Sequence, residues 1–194
     1  KICESAAKLV KSAEYSGAAT VEFLMDDKQN FYMLEVNTRV QVEHPVTEMI
    51  TGVDIVKMSI MVAAGEKIPY KQKEIKVNGH AIECRICAED HTKDFRPSAG
   101  LIETYRAPGG LGVRMDSHVC AGYRVPPNYD SMIGKMIVWG ADRDAAIKRA
   151  SRALHEFKVG PIKTTIPLHA ELMNNADFKR GGVDIHYLER WLKG

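Results

Sequence analysis

The chain has 194 residues, 45% of them hydrophobic, so it can bury a core as one domain or as two small ones. Its 27 basic and 25 acidic side chains leave a formal charge of +2, too small to argue for a nucleic acid or an anionic membrane as partner. No apolar run reaches the roughly 18–20 residues of a membrane helix and no secretory signal is recognisable, so we expect a cytoplasmic protein, with the mitochondrial matrix as the other possible location. Because Lys1 opens inside a helix-like pattern, we also expect a piece of a longer polypeptide.

The first third of the chain reads as a helix, a β-hairpin and a second helix. Apolar residues recur at spacings of three and four over residues 2–14, which predicts the first helix. Two β-rich runs flank the polar stretch DDKQN, residues 26–30, and predict the hairpin. Asp54 is a suitable N-cap for an apolar helix over residues 55–64, and Gly65 stands where a C-terminal cap belongs.

A polar, lysine-rich connection over residues 67–78 separates two predicted parts, residues 1–66 and residues 79–194. The second part begins with several β-rich segments that are split by glycine- and proline-rich turns. Asp142 then caps a predicted helix over residues 143–158, and two shorter helical patterns follow near the end. The predicted fold class is therefore α+β.

A row of polar side chains stands at every second position near the end of the hairpin. The row consists of Glu35, Asn37, Arg39, Gln41 and Glu43. Small and β-branched residues stand between them, which predicts one extended segment with the polar side chains on one face. A turn centred on residues 28–29 would also place Glu22 opposite Glu35, with Leu24, Met33 and Asn37 on the same face.

Two opposed carboxylates repel each other, so a shared proton or a divalent cation must stabilise Glu22 beside Glu35. Mg²⁺ takes oxygen ligands, and the side-chain carbonyl of Asn37 could complete such a set. Arg39 and Gln41 could hold a small oxyanion, and Glu43 beside it is a candidate general base. The alternative is a solvated strand face with mixed charges.

The segment HAIECRICAE alternates like a strand, which decides how its polar residues are interpreted. Cys84 and Cys87 stand three apart and so point to opposite faces, which favours buried or incidental thiols over a metal or redox pair. Arg85 lies on the polar face of this strand. From spacing alone, an ion pair between Arg85 and Glu83 or Glu89 is the simpler interpretation.

Five ordered segments resemble biotin carboxylase, the ATP-grasp component of acetyl-CoA carboxylase, pyruvate carboxylase and related enzymes. They are EFLMDDKQNFYMLEVNTRVQVEHPVTEMITGVDIV, GHAIECRICAED, PSAGLIETYRAPGG, VPPNYDSMIGK and GGVDIHYLE. The resemblance implies the C-terminal end of an ATP-grasp domain followed by the β-rich C-terminal domain with flanking helices. It also implies a reaction in which MgATP and bicarbonate give carboxyphosphate, whose CO₂ passes to N1 of biotin on a carrier protein.

The resemblance assigns roles to residues that match the family's motifs. Glu22 and Glu35, with Asn37 beside them, match ligands of Mg²⁺ or Mn²⁺. The matches to the ATP pocket are Glu22, Leu24, Ile185 and His186.

The same comparison of motifs assigns the bicarbonate and biotin contacts. Arg39, Gln41 and the backbone of Val42 match the bicarbonate site. Glu43 matches the base that deprotonates bicarbonate, and Arg85 matches the arginine that binds the biotin ureido oxygen and stabilises the enolate.

The resemblance further implies a homodimer and partners that carry biotin and use carboxybiotin, namely a biotinylated carrier protein and a carboxyltransferase. The PGGLGVR loop and the helix over residues 143–158 match the dimer interface, with Arg114 and Glu156 as candidate contacts. Leu111 departs from the aromatic residue expected there, and Asp130 is expected to brace the active site. Because the family's N-terminal subdomain and phosphate lid have no counterpart here, we expect the 194 residues alone to be inactive.

Two other interpretations remain open. Another ATP-grasp ligase would share the metal-binding face, although RVQVEHPVTE and ECRICAED favour biotin carboxylase. A non-catalytic module would use residues 79–194 for dimerisation and docking. The resemblance implies that a transferase sets the final acceptor of the carboxyl group.

Overall fold

The computed structural model describes residues 1–193. The chain divides into two compact units, Lys1–Val77 and Asn78–Gly194. Each unit combines helices with antiparallel strands, so the predicted α+β class is confirmed. Among residues 1–193, no helix is long and apolar enough to span a membrane.

The first unit is built from three helices and one hairpin. Its elements are α1 (Ile2–Ser12), β1 (Thr20–Met25), β2 (Phe31–Asn37), α2 (His44–Thr51) and α3 (Ile55–Ala63), followed by a 3-10 turn, Gln72–Glu74. The predicted cap of α3 is confirmed, because the Asp54 carboxylate accepts a hydrogen bond from the backbone N–H of Lys57 at 2.7 Å.

The turn of the hairpin is held by one carboxylate. Asp26 accepts hydrogen bonds from the backbone N–H groups of Lys28 at 2.9 Å and Asn30 at 2.8 Å, and from the Asn30 side-chain amide at 2.8 Å. These bonds, the Asn30 amide foremost, lower the pKa of the Asp26 carboxyl. Gln29 has φ +62°, in the left-handed region that such a turn requires.

The register of the hairpin agrees with the prediction at Glu22, which pairs with Glu35. The register then shifts, so that Phe23 pairs with Met33 and Leu24 pairs with Tyr32. The expectation that Met33 shares a face with Glu22 is therefore wrong. A β-bulge adds one residue to β2 here, and side-chain alternation cannot be carried through a bulge.

The prediction of one extended segment over residues 35–43 is wrong beyond Asn37, where β2 ends. The chain turns, and Glu43 becomes the residue that precedes α2. Pro45 explains the change, since proline lacks a backbone N–H and its fixed φ suits the first turn of a helix. Gly52, at φ +72°, ends this helix and donates its N–H to the carbonyl of Glu48 at 2.8 Å.

The second unit is built around a central antiparallel sheet. Its elements are β3 (His80–Cys87), β4 (Glu89–Asp90), β5 (Arg96–Pro97), β6 (Gly100–Leu101), β7 (Thr104–Arg106), β8 (Val113–Ser117), β9 (Arg124–Val125), β10 (Met132–Gly140), α4 (Arg143–Glu156), β11 (Lys158–Gly160), α5 (Ile166–Asn174), α6 (Ala176–Arg180) and α7 (Tyr187–Lys193). The sheet has the order β3–β10–β8, and β4–β5, β6–β9 and β7–β11 form short ladders.

One face of this sheet packs against α4 and forms the core. The buried side chains include Cys84, Ile86, Met136, Val138, Ala150 and Leu154. The predicted cap of α4 is confirmed, because Asp142 accepts a hydrogen bond from the backbone N–H of Ala145 at 2.8 Å. The apolar residues that recur at helical spacing along this segment are all buried, namely Ala146, Ile147, Ala150, Leu154 and Phe157.

The C-x-x-C pair behaves as expected for a strand, with Cys84 buried in the core and Cys87 only half-buried. Burial raises the pKa of the Cys84 thiol to about 12, and burial is also the main cause of the raised pKa of Cys87. All four cysteines are free, and residues 1–193 contain no cluster of three or more His, Cys, Asp or Glu side chains that could hold a metal ion. The two thiols of the pair are therefore poor nucleophiles in the folded state.

Gly79 is packed too tightly to accept a side chain. A Cβ there would lie 2.3 Å from the carbonyl of Gly140 and 2.6 Å from Nε1 of Trp139, and its φ is +71°. We expect Gly79→Ala to lower the free energy of unfolding by about 2–5 kcal/mol, because backbone strain adds to the clash. Urea unfolding followed by tryptophan fluorescence measures this loss, since both tryptophans lie in the second unit.

Gly122 provides the matched control for this substitution. It has φ +90°, but a Cβ would meet no atom within 4 Å. We expect Gly122→Ala to cost only the backbone strain of about 1–2 kcal/mol. Equal losses for the two variants would contradict the role assigned to the close packing at Gly79.

Candidate active site

The site in the first unit begins with the opposed carboxylates of the hairpin. The side-chain nitrogen of Asn37 donates to Oε1 of Glu22 at 2.9 Å and to Oε1 of Glu35 at 3.0 Å. The Asn37 amide stabilises both carboxylates but leaves both charges in place, so the expected shared proton or cation stays a prediction. The two carboxylate oxygens therefore converge on one point.

The turn after β2 returns the rest of the polar row to the same place. Nε2 of Gln41 donates to Oε1 of Glu22 at 3.0 Å. Nη2 of Arg39 lies 3.4 Å from Oδ1 of Asn37, and Nη1 of Arg39 lies 3.3 Å from the carbonyl oxygen of Val40. Although the residues do not share one strand, these contacts bring the predicted metal and anion residues together.

Residues outside the predicted row hold this turn in place. The hydroxyl of Tyr15 lies 3.2 Å from the carbonyl of Thr38, and Nδ1 of His44 lies 2.7 Å from the carbonyl of Gln41. Because Nδ1 faces a carbonyl, it must carry the proton and donate. The sequence analysis missed both residues. The only local signal was the His-Pro pair at the helix start. A contact between a side chain and a backbone carbonyl leaves no periodic pattern in the sequence.

An open cleft of about 470 Å³ adjoins the turn. Arg39, Gln41 and Glu43 line it, together with Ala18, Ala19, Thr20, Val40, His44, Thr47 and Ile55. The half-buried Val42 belongs to the same turn. A guanidinium, an amide donor and a carboxylate on one wall can bind a small oxyanion and remove a proton from it.

The carboxylate pair fits a divalent cation that also binds phosphate groups. Mg²⁺ in such sites takes one or two carboxylates and leaves its other positions to phosphates and water. A cation between Glu22 and Glu35 would need the Asn37 amide to turn so that its oxygen faces the ion, and this rotation would exchange the Arg39–Asn37 contact for the metal contact. These residues therefore fit the metal predicted from the sequence.

Arg85 lies in the second unit on β3, with its side chain exposed. It pairs across strands with Lys135 of β10, which pairs in turn with Asp116 of β8. Nζ of Lys135 lies 3.8 Å from the Asp116 carboxylate, which also accepts two bonds from Arg114 at 2.8 and 2.9 Å. Arg85 thus has a second cation, Lys135, directly across the strand pair, and its exposed guanidinium can bind a polar or anionic ligand.

The three remaining predicted ATP contacts lie on exposed parts of the two units. Leu24 of β1 is 55% exposed, and Ile185 is 86% exposed just before α7. The next residue, His186, donates its backbone N–H to the Asp184 carboxylate at 2.8 Å. The Arg190 side chain binds the same carboxylate, and these bonds lower the pKa of Asp184.

Two known protein domains are recognisable in the chain. A model described as the biotin carboxylase C-terminal domain matches residues 83–190, which is more than half of the chain. The chain belongs to the biotin carboxylase family. A second model, the carbamoyl-phosphate synthase L chain ATP-binding domain, matches residues 1–71. The resemblance stated from the sequence is therefore confirmed.

Known biotin carboxylases match along nearly the whole chain. Biotin carboxylase of Pseudomonas aeruginosa is 56% identical over 178 residues, which are 92% of this chain and 39% of the relative. Biotin carboxylase of a Nostoc species is 49% identical over 193 residues, or 100% of this chain and 43% of the relative. The chain therefore spans about two fifths of the length of these relatives.

A solved structure in the biotin carboxylase family has the same fold. It is the biotin carboxylase domain dimer of 2-oxoglutarate carboxylase from Hydrogenobacter thermophilus, in complex with MgADP, ADP and bicarbonate. The TM-score is 0.93 at 49% sequence identity, and the match covers 95% of this chain and 41% of that one.

Proposed function

We propose that this chain carries the metal, bicarbonate and biotin contacts of a biotin carboxylase, which uses MgATP and bicarbonate to carboxylate N1 of biotin on a carrier protein. The observation that carries the proposal is the cleft lined by Arg39, Gln41 and Glu43. Gln41 links this cleft directly to the Glu22 carboxylate of the opposed pair. An anion site, a base and a metal site are thus contiguous within one unit.

Glu43 acts as the general base in this proposal. Arg39, Gln41 and the backbone N–H of Val42 bind bicarbonate through its anionic oxygens, and the Glu43 carboxylate takes the hydroxyl proton. The freed oxygen attacks the γ-phosphorus of ATP, so that a new P–O bond forms as the bond to ADP breaks. The products of this step are ADP and carboxyphosphate.

Mg²⁺ or Mn²⁺ held by Glu22, Glu35 and the turned amide of Asn37 would neutralise charge on the ATP phosphates. Leu24, which follows the proposed ligand Glu22 by two residues on β1, supplies apolar contact to the nucleotide. Ile185 and His186 are proposed as further nucleotide contacts, since both are exposed at the start of α7.

Arg85 binds biotin in this proposal. Carboxyphosphate breaks down into CO₂ and phosphate, and the phosphate takes the N1 proton as N1 attacks CO₂. The Arg85 guanidinium donates to the ureido oxygen and stabilises the negative charge that develops there. The exposure of the Arg85 side chain and its cationic cross-strand neighbour Lys135 on β10 support this assignment. An ion pair with Glu83 or Glu89, the simpler interpretation from sequence, would compete with this role.

Residues 1–66 are proposed as the end of an ATP-grasp domain and residues 79–194 as the C-terminal domain, joined by residues 67–78. Because the chain spans about two fifths of its relatives, we expect the 194 residues alone to lack turnover. A biotinylated carrier and a carboxyltransferase are the proposed partners of the full-length polypeptide.

Dimerisation through the second unit is the other proposed role. It is favoured by Leu111, whose apolar side chain is 86% exposed. The loop that carries Leu111 is tied to α4, because Arg152 donates a hydrogen bond to the carbonyl of Gly109 at 3.1 Å. The predicted contact residues Arg114 and Glu156 already pair within the chain, with Asp116 and Arg152, so they would have to exchange or share these partners. Sedimentation at micromolar concentration tests the proposal, and a strictly monomeric species would contradict it.

The release of ADP by the full-length polypeptide tests the catalytic proposal. We expect release to require bicarbonate and to rise on addition of free biotin. Release that is stimulated instead by an amine or amino-acid acceptor, with no response to biotin, would favour another ATP-grasp ligase.

A further inference from the structure

The strand that carries Arg85 has its second edge covered by the start of α5. β10 pairs with one edge of β3, and Thr165 meets the other. The backbone N–H of Thr165 donates to the carbonyl of Cys87 at 3.0 Å, and the N–H of Cys87 donates to the Thr165 hydroxyl at 3.0 Å. These two bonds continue the hydrogen bonding of the sheet into the helix.

The carbonyl of Arg85 accepts two side-chain hydrogen bonds from the same helix. The Thr165 hydroxyl donates to it at 3.1 Å, and Nε2 of His169 lies 2.8 Å from it. Thr165 precedes α5 as its N-cap residue, yet its hydroxyl makes no capping bond within the helix. Threonine at this position ordinarily caps the helix with its hydroxyl, but here the Thr165 hydroxyl bonds to the main chain of Arg85 instead.

The tautomer of His169 follows from this geometry. Because Nε2 faces a carbonyl oxygen, it must carry a proton and donate. Burial is the main cause of a lowered pKa for His169, opposed by the bond to the Arg85 carbonyl and assisted by His91. The imidazole is therefore neutral at neutral pH and holds the strand without adding a charge beside the Arg85 guanidinium.

We propose that Thr165 and His169 are positioning residues for Arg85. They fix the position of the β3 main chain at Arg85. The point from which the exposed Arg85 side chain extends is thereby fixed as well. This inference rests on the proposed function, in which the guanidinium binds biotin. Small misplacements of a catalytic group are costly, since about 1 Å can reduce a rate about 100-fold, so a loose strand at Arg85 would impair the biotin step.

The test compares two substitutions of His169 in the full-length polypeptide. His169→Leu removes the donor at similar volume, whereas His169→Gln keeps an N–H at a similar reach. For His169→Leu we expect kcat/KM for biotin to fall about tenfold or more, by analogy with the cost of misplacement, while biotin-independent ATP cleavage stays within about twofold. His169→Gln should recover most of the loss.

His118→Leu is the matched control, because His118 is an exposed histidine of the same unit and lies outside the segments assigned to the dimer interface. It should leave both reactions unchanged. An unaltered kcat/KM for biotin in His169→Leu, or equal losses in both reactions, would overturn the inference. Failure of His169→Gln to recover activity would overturn it as well.

Thr165 provides a second route if His169→Leu fails to fold, which circular dichroism would reveal. Thr165→Ser keeps the hydroxyl and Thr165→Val removes it, so only Thr165→Val should show the selective loss with biotin. Equal behaviour of the two variants would contradict the inference. A wild-type polypeptide that cleaves ATP but never carboxylates biotin would instead overturn the proposed function itself.

Discussion

Replacing Glu43 with glutamine in the full-length polypeptide is expected to reduce bicarbonate-dependent ATP cleavage about 10²–10⁴-fold, the usual contribution of a general base. The amide cannot accept the bicarbonate proton. Binding of MgATP should persist, because the proposed metal ligands Glu22 and Glu35 are unchanged. ADP release measures the first quantity, and equilibrium binding of a fluorescent ATP analogue measures the second.

This substitution is structurally conservative. Glu43 precedes α2 as its N-cap residue, but its side chain makes no capping bond, so an isosteric amide leaves the helix start intact. Glu66→Gln is the matched control, since Glu66 is an exposed carboxylate in the same unit. Wild-type turnover in Glu43→Gln would show that another group is the base.

Replacing Arg85 with alanine is expected to lower biotin carboxylation about 10²–10³-fold, the loss seen when one stabilising donor is removed from a developing oxyanion. Biotin-independent ATP cleavage should stay within about threefold, by the same reasoning that the donor acts only on the biotin charge. Parallel assays of ADP release and carboxybiotin formation, with and without biotin, measure both effects.

Two further variants sharpen the interpretation of Arg85. Arg85→Lys should lie between wild type and alanine, because lysine keeps the charge and loses the planar fork of donors. Arg96→Ala is the control, since Arg96 is an exposed arginine on β5 of the same unit. Equal losses with and without biotin in Arg85→Ala would indicate a structural role for Arg85.

Local patterns predicted the elements whose residues lie close together in sequence. The hairpin turn, the caps at Asp54 and Asp142 and the pairing of Glu22 with Glu35 all follow from turn chemistry and alternation. The bulge beyond Glu22 could not be predicted in this way. An inserted residue does not change the sequence pattern where all the neighbouring side chains are apolar.

The polar row shows how neighbouring side chains can be predicted from a partly wrong geometry. Alternation suggested one extended segment from residue 35 to residue 43, whereas Pro45 sets a helix start and the chain turns after Asn37. The turn nonetheless returns Gln41 to Glu22 and keeps Arg39 beside Asn37. These side chains were predicted correctly as neighbours, although the path of the backbone between them was not.

Contacts between distant parts of the chain could not be predicted at all. Thr165 and His169 reach Arg85 across 80 and 84 residues, and Tyr15 reaches Thr38 across 23. Each contact joins a side chain to a backbone carbonyl, which every residue type offers, so the sequence contains no complementary partner to recognise.

The most direct test of the proposed function follows labelled carbon from bicarbonate into biotin. The full-length polypeptide, with Mg²⁺, ATP, ¹³C-bicarbonate and free biotin, should form carboxybiotin that carries the label at N1. Formation should require ATP and should be lost in Glu43→Gln. Bicarbonate-dependent cleavage of ATP with the label absent from biotin, or present in a different acceptor, would contradict the proposal that this chain belongs to a biotin-carboxylating enzyme.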